Sequence, residues 1–342
     1  MQTKNICLLI LLLVTSSIWL HCAAPIWQKV DLALRQGNPQ SAERQVEEHL
    51  RSHPNDAKAY YALGEIRAEM DNWQEMTEAF SACERADARW KHDTDTAKEF
   101  HWTANFNAGL NVLQQREFVR AMNHFKNCII ILPGHAIAHR LLGEAILASG
   151  DTALAQPALV KTLELDETDH WARRHLLMIY FYTGNYRSAI IEAEVLMEEF
   201  SNDIEAHRIR AYSFDRLNKK HRALTAYQQL IGLSSRAADY ESFAAFKYRH
   251  GDFEAALRLS RQSIQRGGSR LKNLKAVAQC QLMQQNFRDL SETAQDILEI
   301  SNTDNTNISA LQLLQISYMA LGRTDEAKAI TTKIEQITQK QP

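Results

Sequence analysis

The sequence predicts an all-α fold built from repeated helix pairs, and three observations indicate it. Glycine and proline are scarce among the 342 residues, with 12 and 6 copies, and residues that favour helices are plentiful. Apolar residues recur at helical spacing in short segments. The same 34-residue pattern of two such segments recurs along the chain, which predicts a repeat architecture.

The clearest copy of this pattern is residues 136–169. Its two predicted helices are separated by a break at Gly150, where Asp151 or Thr152 can cap the second helix. Ala155 and Leu159 lie four residues apart on that second helix, on one apolar stripe. Neither helix is long enough to be stable alone, so each pair must pack against its neighbours.

This unit resembles the tetratricopeptide repeat. Leu142 and Gly143 match the family's seventh and eighth places, and Ala155 matches the small residue at the twentieth. The unit departs from the family at His139, which stands where tryptophan is usual, and at Pro157, which lies inside the second helix. The resemblance covers nearly the whole chain beyond the first two dozen residues. It implies a right-handed superhelical solenoid of about nine helix pairs, with a concave groove lined by the first helix of each pair.

Residues 1–24 have a different composition. Lys4 precedes a mostly apolar run from Ile6 to Leu20, a length that suits an export signal better than a membrane-spanning helix. Leu20 to Cys22 loosely resembles a bacterial lipoprotein box, in which Cys22 would carry a lipid. A cleaved signal peptide, lipidation at Cys22 and an uncleaved anchor all stay open. We therefore expect an exported protein, in the periplasm or associated with a membrane.

The solenoid occupies residues 25–342. An insertion at residues 91–101 carries a cluster of Asp and Thr that can cap a helix, so we expect that helix to begin early and to continue into the third unit. A polar linker is expected at residues 305–307, and the last helix has the polar outer face of a terminal cap. The nine units are predicted at about residues 23–56, 57–90, 102–135, 136–169, 170–203, 204–237, 238–270, 271–304 and 308–341.

The sequence contains none of the common catalytic motifs. It has no Gly-rich phosphate loop, no HExxH zinc helix, no GxSxG elbow and no dinucleotide-binding turn. The repeats also leave no room for a separate catalytic domain. We therefore expect a protein that is not an enzyme and needs no cofactor.

Cysteine and histidine residues are predicted to have structural roles. Cys83 and Cys128 occupy the same place in two units, where the family has a small buried residue, which favours packed thiols. The pairs His49–His53 and His135–His139 have a spacing that can present two imidazoles to a metal, but neither has an obvious third ligand. We expect no metal site.

The resemblance places a binding groove on the first helices, and the aromatic, arginine and methionine residues there are the types that dominate binding interfaces. The clamp that some members of the family form around a C-terminal carboxylate with Lys and Asn is not expected, because Tyr61 and Glu65, or Phe106 and Leu110, stand at the corresponding places. The predicted partner-binding residues are Arg140, Trp171, Arg174, Met178, Tyr182, Arg208, Tyr212, Arg216, Tyr248 and Arg249.

Charge is unevenly distributed although the net charge is only −2. Residues 39–99 contain 14 acidic and 8 basic residues, whereas residues 204–275 contain 6 acidic and 15 basic residues. This asymmetry favours protein partners whose acidic segments dock toward the C-terminal half. Nucleic acid is not an expected partner, because the chain is predicted to be exported and has no nucleic-acid reader motif.

Together these features predict a non-catalytic scaffold or adaptor of the cell envelope that binds a partner segment in its groove and reaches the membrane through its N-terminus. One alternative is a structural spacer that associates with itself. A second is an accessory subunit of an enzyme that processes envelope glycans or peptides, which the missing catalytic residues disfavour.

Overall fold

The computed structural model describes residues 25–301 and 308–339, which form helices joined by short turns. The N-terminal segment 1–24, including Cys22, and the predicted linker at 305–307 lie outside the described residues. The described α-helices are α1 Pro25–Arg35, α2 Pro39–Ser52, α3 Ala57–Glu69, α4 Trp73–Ala86, α5 Lys91–Gln114, α6 Phe118–Ile131, α7 Ala136–Ala148, α8 Thr152–Leu165, α9 His170–Tyr182, α10 Tyr186–Glu199, α11 Ile204–Arg216, α12 Lys220–Leu233, α13 Ala237–Arg249, α14 Phe253–Gln265, α15 Arg270–Met283, α16 Phe287–Ile300, α17 Ile308–Ala320 and α18 Thr324–Gln339.

These eighteen helices confirm the predicted all-α repeat fold, since consecutive helices pack pairwise. Odd-numbered helices are the first members of the pairs and even-numbered helices the second. A single left-handed residue follows most first helices and allows the chain to reverse; it is glycine at Gly150 and Gly184. The side chain of Asp151 then accepts a hydrogen bond from the Leu154 amide at 3.2 Å and caps α8, as predicted.

The early start of the helix at the insertion is also confirmed. Helix α5 is 24 residues long, whereas α3 and α7 have 13 each. Its added N-terminal turns are tied to α4, because Glu84 accepts hydrogen bonds from Thr94 and from Lys98, both at 2.8 Å. The insertion therefore extends a first helix instead of forming a loop.

The seventh pair begins one residue earlier than its predicted start at Ala238. The last residues of α11 and α13, Arg216 and Arg249, lie 249 − 216 = 33 positions apart, one fewer than the repeat length. Helix α13 accordingly begins at Ala237. Places within the seventh unit are counted from Ala237 below.

The helices divide into two compact units, of which the first ends at Arg173 and the second begins at Arg174. Each unit is held by apolar clusters between successive helices, of the kind expected when each repeat contacts its neighbours. In the first unit, Phe80, Trp102 and Cys128 belong to one such cluster. In the second unit, Phe214, Tyr227 and Phe246 belong to another.

Candidate functional site

The first helices of the second unit are joined by ion pairs that run from one repeat to the next. Arg208 on α11 donates to both carboxylate oxygens of Asp239 on α13, at 2.8 and 3.0 Å. Asp239 is completely buried, and it also accepts hydrogen bonds from Ser234 at 2.5 Å and Tyr212 at 3.1 Å. Burial raises the pKa of Tyr212 to about 12, so its hydroxyl stays protonated and can donate at neutral pH.

Two more arginines that the sequence assigns to the groove make the same kind of contact. Arg174 pairs with Asp203 within the second unit, and Arg140 lies 3.5 Å from Asp169 within the first. Each aspartate also accepts a hydrogen bond from a backbone amide in the first turn of the following first helix. One carboxylate therefore caps a helix and holds the arginine of the preceding repeat.

Aromatic rings support these arginines. The Arg140 guanidinium lies over the Trp171 ring, 5.8 Å from its centroid, and Arg174 lies over Phe200 at 5.7 Å. Met178 is partly buried against the core of the fifth pair. Trp171 and Met178 thus pack against other residues, and part of each side chain stays accessible, as the predicted partner binding requires.

Arg249 and Tyr248 lie at the end of α13 and make different contacts. Arg249 donates to both oxygens of Asp215, at 2.6 and 2.8 Å, and Asp215 also accepts from the Tyr227 hydroxyl at 3.0 Å. The Arg249 side chain remains 53% exposed. Tyr248 is partly buried and meets Phe253 edge to face, with 5.4 Å between the ring centroids.

Four exposed side chains lie at the C-terminal ends of four successive first helices. Tyr182, Arg216, Arg249 and Met283 are the last residues of α9, α11, α13 and α15. All four are exposed, and Tyr182 and Met283 are large side chains that are 74% and 54% exposed. We call these four residues the end row. Three of them are predicted groove residues, and Met283 joins them because it has the same place in the eighth pair.

The thiols and imidazoles have the structural roles that the sequence predicts. Cys83 and Cys128 are buried free thiols, and burial raises their pKa values to about 11 and about 12. His139 is buried and forms a hydrogen bond with the Pro133 carbonyl at 3.1 Å. Within residues 25–301 and 308–339, no three His, Cys, Asp or Glu side chains gather as a metal site would require. None of the helices described above is long and apolar enough to span a bilayer.

A family model of the tetratricopeptide repeat matches residues 28–93. The match supports this repeat family for the first two helix pairs, and the same helix-pair arrangement recurs through the rest of the described chain. The fold is that of protein–protein interaction scaffolds. Superkiller protein 3 of Schizosaccharomyces pombe is 26% identical over 185 residues, which are 54% of this chain but only 12% of that protein.

Several solved structures are similar in their helical repeats at low sequence identity. MamA of Desulfovibrio magneticus is 15% identical, with a TM-score of 0.44 over 48% of this chain and 94% of its own. PilF of Pseudomonas aeruginosa is also 15% identical, with a TM-score of 0.43 over 62% and 95%. YrrB, a tetratricopeptide protein with an unusual peptide-binding site, is 16% identical, with a TM-score of 0.35 over 55% and 92%. Similarity at this level carries no argument about function.

Proposed function

We propose that the chain is a non-catalytic scaffold whose second unit binds a segment of a partner protein along its first helices. The observation that carries this proposal is the end row, Tyr182, Arg216, Arg249 and Met283. Aromatic residues, arginine and methionine are enriched at protein interfaces, because they combine contact area with polar ends or adaptable shape. A partner that covers the exposed tyrosine and methionine at these equivalent helix ends would remove apolar surface from water, which is favourable.

The ion pairs between repeats support the same proposal. Arg208 and Asp239 fix α11 relative to α13, and Arg249 ties α13 back to Asp215 on α11. Helices held in this way present the end row in a fixed arrangement before a partner arrives. Preorganisation of this kind strengthens binding, because less conformational freedom is lost in the complex.

The proposal places the protein at the cell envelope, exported and tethered through residues 1–24. Its support is the apolar run from Ile6 to Leu20 after Lys4, and Cys22 as a candidate for lipidation. The excess of basic residues in 204–275 favours a partner segment that carries acidic groups.

The test compares partners recovered by crosslinking from native membranes. One variant carries Tyr182→Ser, Arg216→Ser and Met283→Ser; these side chains are exposed, so the fold should survive. The control carries Ile191→Ser, Leu233→Ser and Arg261→Ser, which alter exposed residues on second helices. A partner that is lost with the end-row variant and kept with the control supports the proposal. Recovery of the same proteins with both variants contradicts it.

A further inference from the structure

The inside of the second, third and fourth helix pairs is filled by one small and one large residue that face each other. The eighth place of the first helix contacts the twenty-fourth place, on the second helix. In the third pair a Cβ added to Gly109 would lie 2.7 Å from Cε1 of Phe125, and in the fourth a Cβ on Gly143 would lie 2.7 Å from Cδ2 of Leu159. The large residue therefore occupies all the space that the small one leaves.

The fifth and sixth pairs keep this complementarity with other residues. The fifth pair reverses the sizes, with Leu177 on α9 and Ala193 on α10 in one buried cluster. The sixth pair combines Ala211 with Tyr227, which is 2% exposed. Close packing of this kind is the normal condition of a protein interior.

The seventh pair lacks the large residue. Its eighth and twenty-fourth places are Ala244 on α13 and Ser260 on α14, and both are small and buried. The eighth pair also has two small residues there, Ala278 and Ala294. In the seventh pair a cavity of about 130 Å³ adjoins both small residues.

The cavity lies between α13, α14 and α15 and is lined by small side chains. Four of them are alanines, namely Ala244, Ala245, Ala256 and Ala276, and Ser260 is the fifth. We call this cavity the alanine pocket. Ala245 and Gln279 on its wall are exposed, so the pocket is open to solvent. Its volume equals that of roughly four water molecules at liquid density, enough for part of one apolar side chain.

The surroundings of the alanine pocket are basic. Residues 237–283 contain 8 basic and 4 acidic residues, a net charge of 8 − 4 = +4. The acidic group at the wall, Glu241, accepts hydrogen bonds from Lys272 at 2.5 Å, Asn273 at 2.9 Å and Ser263 at 3.2 Å. Burial raises the pKa of Glu241, but these hydrogen bonds outweigh it and hold the pKa below its usual value.

The pairing of Glu241 leaves a positive charge beside the pocket. Lys275 is exposed one turn beyond Lys272 on α15, and it has no hydrogen bond or ion pair to the described parts of the chain. A ligand that enters the pocket therefore meets a largely apolar wall, and the exposed Lys275 directly precedes the lining residue Ala276 on α15. Both features discriminate against a basic or wholly polar segment.

We propose that the alanine pocket receives one leucine or phenylalanine side chain of a partner protein, flanked in the partner by aspartate or glutamate. The side chain occupies the space that Phe80, Phe125 and Tyr227 occupy from within in other pairs. The neighbouring carboxylates contact Lys275 and, by competing with Glu241, Lys272. This inference rests on the proposed scaffold function and adds a specific anchor to it.

The test uses the residue that closes the equivalent space elsewhere in the chain. Ser260→Phe gives the seventh pair an aromatic residue that faces an alanine, as Tyr227 faces Ala211 in the sixth pair, so the variant should fold and retain its melting temperature. A random linear peptide library displayed on phage is selected on the wild-type chain, and enriched peptides are measured by fluorescence anisotropy. We expect enriched peptides to carry an apolar residue next to acidic residues.

The affinity changes expected for these peptides follow from the geometry. Ser260→Phe should weaken binding by about tenfold or more, since the apolar anchor loses its site. Lys275→Glu should weaken it by about threefold to fivefold, as expected for an exposed charge. Ile191→Phe, which adds the same ring on an exposed second-helix site, should leave affinity unchanged. If Ser260→Phe disturbs the circular dichroism spectrum, Ala245→Leu fills the pocket from its exposed wall instead.

Each other outcome overturns a defined part of the inference. Peptides that bind Ser260→Phe as tightly as wild type, but lose affinity with Tyr182→Ser, leave the scaffold function standing and refute the pocket. Failure to enrich any peptide over empty beads contradicts both. A concentration-dependent mass in sedimentation that Ser260→Phe abolishes would make the occupant a second copy of this chain, which also refutes the proposal.

Discussion

Asp239 is the residue whose replacement should cost the second unit most stability. Its carboxylate is completely buried and accepts hydrogen bonds from Arg208, Ser234 and Tyr212. Asp239→Ala leaves the Arg208 guanidinium without that partner in an interior site. Removal of one member of a buried ion pair costs about 3–5 kcal/mol. Because Arg208 keeps its contact with Glu205 and is 12% exposed, we expect about 3 kcal/mol.

The chain offers a convenient assay for this loss. All six tryptophans lie at or before Trp171, so tryptophan fluorescence reports the first unit. Urea unfolding followed by circular dichroism, with hydrogen exchange of α11 and α13, should show a destabilised second unit, and the fluorescence transition should move little. As a control, Glu254→Ala breaks the exposed Arg258–Glu254 pair and should cost about 0.3–0.5 kcal/mol.

One further variant separates the ion pair from simple loss of packing. Arg208→Met combined with Asp239→Leu should recover most of the lost stability, since apolar residues of similar size can replace a buried pair. A loss below about 1 kcal/mol for Asp239→Ala would refute the assignment of a buried, essential carboxylate.

The same carboxylate should make the second unit sensitive to acid. Burial raises the pKa of Asp239, but the hydrogen bonds from Arg208 and Ser234 outweigh it, so the pKa lies below the usual value. A lowered folded-state pKa contributes stability that is complete above the unfolded pKa of about 3.9 and is lost as pH falls through the folded pKa. Below about pH 4 the free energy of unfolding should therefore fall less steeply in Asp239→Asn than in wild type. The same pH dependence in both proteins would contradict this reasoning.

Three further predictions concern other parts of the chain. In urea unfolding, Gly109→Leu should destabilise the first unit by about 3 kcal/mol, because the new side chain would overlap Phe125. Gly134→Leu has open space around it and should change the free energy of unfolding by less than about 0.5 kcal/mol. Equal effects of the two variants would refute the packing account. Burial lowers the pKa of His139, so the first unit should lose stability as pH falls below about 6.5. His139→Gln should remove this pH dependence. The same pH dependence of stability in the variant and in wild type would show that His139 is not its cause. Cys22→Ser should abolish incorporation of an alkyne fatty acid and release the chain from membranes, and continued labelling would rule out Cys22 as the lipid site.

Most of the helix pattern could be predicted from local signals. Helix α8 begins where Asp151 caps it, a signal that depends on residues within one turn of each other. Helix α5 begins early as predicted, but it starts at Lys91, so the Asp and Thr cluster lies inside the helix, and Trp90 at its start makes no side-chain capping bond. The seventh pair begins at Ala237, one residue before its predicted position, because the sixth unit is one residue shorter than the repeat length.

The arginines of the predicted groove illustrate what local reasoning missed. Arg140, Arg174 and Arg208 were predicted to contact a partner, and their surface role stays a prediction, but each also pairs with an aspartate at or near the start of the next first helix. The sequence contained a signal for this. Arg140 precedes Asp169 by 29 residues, and Arg174 precedes Asp203 by the same interval. This interval predicts a contact only when it is known that consecutive first helices lie side by side.

The alanine pocket has a comparable origin. Ser260 is unremarkable as a single residue, and its meaning comes from comparison with Phe80, Phe125, Leu159 and Tyr227 at the same place. Even that comparison predicts only that side-chain volume is missing inside the seventh pair. Whether neighbours collapse into the space depends on how the surrounding helices pack.

The most direct test of the scaffold account is site-specific photocrosslinking in cells. A photoreactive amino acid is placed at Tyr182 or Met283 in the end row, and as a control at Ile191, which is 59% exposed on α10. The account predicts that both end-row positions crosslink to the same partner protein, and that position 191 does not. Crosslinks from position 191 alone, or the same partner from all three positions, would contradict binding along the first helices.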